Sequence, residues 1–164
     1  MKYDEAKLQF INAWGALGSS WGINKAMGQI HALLLISTKP LATEEIMEDL
    51  KISRGNANMN IRALIDWGIV KKELIPGERK EYFSTGKDIF ELAKQVSKER
   101  KRREIEPILK VLNSAKLIEG KGNEVEEFRK VTKDLYDFSN MVDNILEKYI
   151  KSENKWIQKL LMKL

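Results

Sequence analysis

Seven residues within ten positions could do chemistry together: Ser53, Arg54, Gly55, Asn56, Asn58, Met59 and Arg62. Arginine can bond a guanine edge with two donors, asparagine can do the same for adenine, and methionine can meet a thymine methyl. A glycine near a helix start lets backbone come close to a partner, and the free amides of a first turn favour a phosphate. If Ala57, Ile61 and Leu64 point inward at i, i+4 and i+7, then Gly55, Met59 and Arg62 point outward, flanked by Asn56, Asn58 and Ala63. A solvated polar face has the same pattern. Two asparagines and a glycine are poor helix formers, however, and their place on an exposed face needs a reason. A second group, Lys71, Lys72, Arg79 and Lys80, supplies cations suited to phosphate or minor-groove contact. Glu78 and Glu81 oppose that use unless strand alternation turns them away.

The surrounding pattern predicts the elements that hold these groups. Ser53 reads as the N-cap of a helix to Trp67, which Gly68 ends. Before it, Thr43 reads as the N-cap of a short helix with Glu44 and Glu45 in its first turn and Ile46 and Leu50 inward. Lys51 and Ile52 make the connection. After it, Ile69 to Ile75 reads as a strand, Pro76 to Arg79 as a turn and Lys80 to Ser84 as the returning strand. Two short helices followed at once by a hairpin are the plan of a winged helix-turn-helix. Upstream, Phe10, Trp14, Leu17 and Trp21 form one stripe of a first helix ended by Gly22, and Ala26, Ile30, Leu33 and Leu34 face inward from a second.

Downstream, a helix from Lys87 carries Ile89, Ala93 and Val96 on its apolar side and the basic run Lys98 to Arg103 at its end, until Pro107 kinks or restarts it. The last helix follows a heptad, with Phe128, Leu135, Val142, Tyr149 and Trp156 at position a and Val131, Phe138 and Ile145 at d. That seam calls for a helix partner within the chain or in a second copy. The expected fold is therefore mainly α with a small β-hairpin wing: residues 1–86 hold a first helix and the winged helix-turn-helix, and residues 87–164 a helical dimerisation region.

Composition removes other classes. The 164 residues contain no cysteine and one histidine. Disulfides, thiolate metal sites, cysteine nucleophiles and Ser-His-Asp chemistry beyond His31 are excluded, and no cofactor, metal or catalytic residue is expected. His31, inside an apolar helix, reads as a packed, hydrogen-bonded histidine. The net charge of +5 is uneven. Residues 1–50 hold 4 Lys/Arg against 6 Asp/Glu, residues 51–103 hold 14 against 7, and residues 104–164 hold 11 against 11. A basic excess confined to the middle third is the footprint of a polyanion-binding element. No apolar run is long enough to span a bilayer and the first residues are acidic, so the cytoplasm is the expected compartment.

Several motifs carry a family likeness. Phe10-Ile11 through Leu17, Trp21-Gly22-Ile23, Gly28-Gln29-Ile30, Ser53-Arg54-Gly55-Asn56, Trp67-Gly68-Ile69-Val70 and the run Pro76 to Phe83 resemble the MarR superfamily, most closely its GbsR-like group. The run from Arg102 to Pro107 is similar to the charged run before proline in that group's long helix. The likeness covers Lys7 to Leu112. It implies a cytoplasmic, homodimeric DNA-binding regulator, often a repressor, whose affinity for double-stranded DNA responds in some members to a small molecule such as choline. Trp14 and Trp21 are the aromatic residues that could cage such a cation, although both fall on a core stripe. The rival expectation is a winged-helix protein-interaction module that never meets DNA.

Overall fold

The computed structural model describes residues 1–20 and 22–152. Helix α2 (Lys25–Ile36) is buried on nearly every side from Met27 to Leu34. A helix apolar all round must be enclosed, and three helices of its own compact unit pack on it. Asn24 caps its start by accepting from the Ala26 N–H at 2.8 Å. At its other end the Lys87 ammonium donates to the carbonyls of Leu34 (2.7 Å), Leu35 (2.5 Å) and Ser37 (2.8 Å), groups that a helix terminus leaves without partners.

Helix α1 (Tyr3–Ser20) packs on α2, but not with the expected stripe. Its buried residues are Ile11, Gly15 and Gly18; Phe10 and Trp14 are half-buried and Leu17 is 40% exposed. The cause is glycine. A Cβ added at Gly28 would lie 3.0 Å from the Gly15 Cα and 3.2 Å from the Trp14 carbonyl oxygen. The two helices thus touch backbone to backbone, and that contact sets which side of α1 faces in. Trp21 lies outside the described residues.

The helix-turn-helix follows. Strand β1 (Leu41–Ala42) runs directly into α3 (Thr43–Leu50), so Thr43 is the first helical residue and not the cap. Ala42 takes the cap position, and its N–H is satisfied by the Glu45 carboxylate at 2.8 Å. Lys51, left-handed at φ 52°, ends α3. Ser53 then caps α4 (Arg54–Asp66), its hydroxyl accepting from the Asn56 N–H at 3.2 Å. Ala57, Ile61 and Leu64 are buried against α2 and α3, as their spacing requires.

Strands β2 (Val70–Glu73) and β3 (Tyr82–Thr85) form the hairpin. The sheet order is β1-β3-β2, all antiparallel, with Val70 opposite Thr85, Glu73 opposite Tyr82 and Leu41 opposite Phe83. The hairpin strands are shorter than expected, leaving Leu74 82% exposed in the loop. Within that loop the Glu78 N–H donates to the Ile75 carbonyl at 3.0 Å, with Gly77 at φ +84°. Proline at the second position and a positive-φ glycine at the third are the signature of a type II turn, one residue earlier than expected.

The chain divides into two compact units, Met1–Leu92 and the part from Ala93 onward, so the division falls inside α5 (Ile89–Arg100). Ile89 and Ala93 are exposed, contrary to their expected inward role. The basic run is not a bare cationic end. Glu99 is buried and accepts from Arg102 at 2.6 Å and Arg103 at 2.5 Å; Arg100 pairs with Glu104 at 2.9 Å. Lys101–Ile105 form a π-helical turn that leads into α6 (Glu106–Ala115), with Pro107 at its start. Proline removes an amide and crowds the preceding turn, and the wider π turn absorbs both effects. Helix α7 (Asn123–Lys151) packs against α6.

Candidate nucleic-acid interface

The outward side of α4 forms a shallow concavity of about 500 Å³ lined by Gly55, Asn58, Met59, Arg62, Ala63 and Asp66. Four of the residues expected to read bases therefore share one surface: Gly55, Asn58, Met59 and Arg62. Helical rotation alone brings them together, because the inward residues are fixed by the core. Arg62 forms no ion pair among the described residues and is exposed. Its guanidinium is free to offer a planar fork of donors.

The other expected residues are arranged differently. Ser53 is occupied as the cap. Arg54 is paired with Glu44 of α3 at 3.0 Å. Asn56 is half-buried and turned along the helix, where its carbonyl and side-chain oxygens both accept from the Asn60 amide, at 2.9 and 2.6 Å. Asn60 itself is buried and was not expected from the pattern, since an asparagine at an inward position looks like a break in the stripe. Its amide makes it compatible with the core by bonding one turn back.

On the wing, Lys71 and Arg79 are exposed and make no ion pair among the described residues. Lys72 is joined to Glu81 across the hairpin, and Glu73 accepts from Ser84 at 2.6 Å. Glu81 is thereby turned to its neighbour strand. Lys80 lies close enough to Glu44 and Glu45 for its charge to lower the pKa of both. The Glu44 carboxyl is held below the usual range first by its own backbone amide at the start of α3, then by Arg54. The cations are thus of two kinds: Arg62, Lys71 and Arg79 are open, whereas Arg54 and Lys72 already hold a carboxylate.

A solved crystal structure of a transcriptional regulator has the same fold. Its TM-score is 0.70 at 19% identity, over 93% of this chain and 99% of that one. No family model and no curated protein matches the sequence. The winged helix-turn-helix read from α3, α4 and the β2–β3 hairpin is therefore shared with a chain of similar length, while fewer than one residue in five is common to both.

Trp14 has ordinary core partners. Its indole N–H donates to His31 Nδ1 at 3.2 Å, and its ring lies 5.7 Å from that of Phe10. Burial, with help from the Lys87 charge, lowers the His31 pKa to about 4, so the ring is neutral and its tautomer is set by the bond from Trp14. No helix among the described residues is long and apolar enough to cross a membrane.

Proposed function

We propose that this protein is a sequence-specific DNA-binding transcriptional regulator of the MarR superfamily, nearest its GbsR-like group, acting in the cytoplasm as a homodimeric repressor. The observation that carries the reading is the open outward face of α4, where Arg62, Asn58 and Met59 stand beside a glycine with nothing packed on it. In this reading α4 enters the major groove and the wing grips phosphates through Lys71 and Arg79. Arg54 and Lys72 reach phosphate only by leaving Glu44 and Glu81. No catalysis and no cofactor belong to this function.

The deciding experiment separates reading from gripping. An operator is selected from random DNA with the wild-type protein, and variants are measured on it and on scrambled DNA across a salt series. Arg62→Ala is expected to cost about 1–3 kcal/mol per half-site on the operator and to relax one base position. Arg79→Ala is expected to weaken all sequences about equally and to flatten the salt dependence by about one unit per phosphate lost. Wild-type binding by both variants on both DNAs refutes the reading. It would favour a protein-interaction module, for which the carboxylates already paired with Arg54 and Lys72 speak. A cationic effector caged by Trp14 has to displace its contacts with Phe10 and His31; calorimetry with choline and glycine betaine tests that part.

A further inference from the structure

Helix α7 has one face in use and one open. On the used face Thr132 is buried and the Lys116 ammonium sits 3.6 Å over the Tyr136 ring. Arg129 donates to the carbonyls of Ile118 and Gly120 at 2.8 and 3.2 Å, and Asp143 pairs with Lys101 at 3.1 Å. These residues occupy heptad positions b and e. The open face is the a and d series. Leu135, Phe138 and Ile145 are 49%, 61% and 58% exposed, Phe128 and Val131 are exposed too, and Val142 and Tyr149 are half-buried. Trp156, the next a residue, lies outside the described residues. An apolar stripe of that length is not left in water.

The flanks decide what covers it. Position g carries Glu127, Asp134, Met141 and Lys148, all exposed, and neither Glu127 nor Lys148 has an ion-pair partner among the described residues. Position e carries Thr132, Ser139 and Leu146, which are buried or half-buried within the chain. A parallel pair of helices needs g of one against e of the other. Here the e flank is already covered, and a parallel pair would leave Glu127 and Lys148 about 31 Å apart along the seam, at 1.5 Å per residue.

We infer that α7 pairs with α7 of a second copy in antiparallel fashion, in the register that sets Glu127 opposite Lys148. The inference rests on the homodimer reading above and adds the direction and register of the seam. Antiparallel helices bring g against g, so the two-fold axis makes the Glu127–Lys148 pair twice. The same register stacks Phe128 on Ile145, Val131 on Val142 and Leu135 on Phe138 of the second copy. Tyr149 then meets Glu124, whose carboxylate can accept from the phenol.

The absence of cysteine makes the test clean. Phe128→Cys and Ile145→Cys are prepared singly, and subunits are mixed by reversible unfolding and mildly oxidised. The mixture is expected to give a disulfide-linked dimer, while each variant alone gives none, because like positions stand about 26 Å apart. Self-cross-linking of each variant alone overturns the antiparallel direction and leaves the homodimer intact. A sedimenting dimer that does not cross-link in the mixture overturns the seam. A wild-type monomer at micromolar concentration overturns both the seam and the homodimer reading. Glu127→Lys, an exposed change that leaves the core alone, should weaken dimerisation about three- to tenfold, and Glu127→Lys with Lys148→Glu should restore it to within about twofold. Failure of the double variant to recover overturns the register.

Discussion

Gly55→Ala should stabilise the fold and weaken DNA binding. Gly55 is the second residue of α4, and a Cβ built there has no atom within 4 Å. Nothing opposes the methyl sterically, so helix propensity alone decides the sign. The gain is about 0.5–1 kcal/mol, at the lower end near a terminus. That corresponds to a rise of about 1–4 °C in melting temperature for a chain of this size. On DNA the same methyl has the opposite effect. The first turn leaves the amides of Arg54 and Gly55 without helical partners, while Ser53 occupies that of Asn56. A carbon added one bond length, about 1.5 Å, above the backbone holds a phosphate beyond hydrogen-bond distance. Losing one charge-assisted bond costs about 1.5–3 kcal/mol per half-site, or about ten- to a hundredfold in affinity. Thermal denaturation and operator retardation on the same preparation read both effects. A stabilised variant that binds the operator as tightly as wild type would refute the close backbone approach; a destabilised one would refute the open space around Gly55.

Gly28→Ala tests the opposite surroundings: its Cβ meets backbone of α1 at 3.0 and 3.2 Å, so overpacking of about 1–3 kcal/mol should outweigh the propensity gain, and urea denaturation should show net destabilisation. His31 has a folded pKa lowered to about 4 from 6.5, so the unfolded chain binds the proton more readily. Its contribution, about 3 kcal/mol, is fully present above pH 6.5 and is lost as the pH falls toward 4; His31→Gln should remove most of that slope from the stability profile. Glu44→Gln releases Arg54 and takes a carboxylate away from Lys80, so it should tighten binding to any DNA by about threefold and steepen the salt dependence, measured by titration at several salt concentrations.

Much of α4 was legible because its signals are local. Ser53 as a cap, the inward Ala57, Ile61 and Leu64, and Gly68 as a stop each act within one or two turns of chain. The inward face of α1 was not legible, because the contact that sets it is made by glycines, which no hydrophobic stripe includes. Strand β1 is two residues long and exists only because β3 lies beside it, with partners 40 and 42 positions away in sequence. The site divides in the same way. The outward set on α4 follows from periodicity, whereas the carboxylates that occupy Arg54 and Lys72 come from α3 and the facing strand. Such pairs depend on tertiary placement. The heptad of α7 was legible as an apolar stripe, but the burial of its e flank could be read only from the structure.

The π-helical turn from Lys101 to Ile105 behaves as a phase buffer in the segment that contains it. One residue more than an α-helical turn needs is housed there, so five residues cover about the rotation of four α-helical ones, about 400°. Deleting a single residue within the turn would let the helix run on as regular α with the side chains of α6 facing nearly as they do now. Leu112, the buried residue of α6, would keep its place, and Ile108 and Val111 would stay exposed. The same deletion inside α6 would swing every later side chain by about 100° and carry Leu112 out of its contacts. A one-residue change of length is therefore absorbed in this turn and nowhere else along α6.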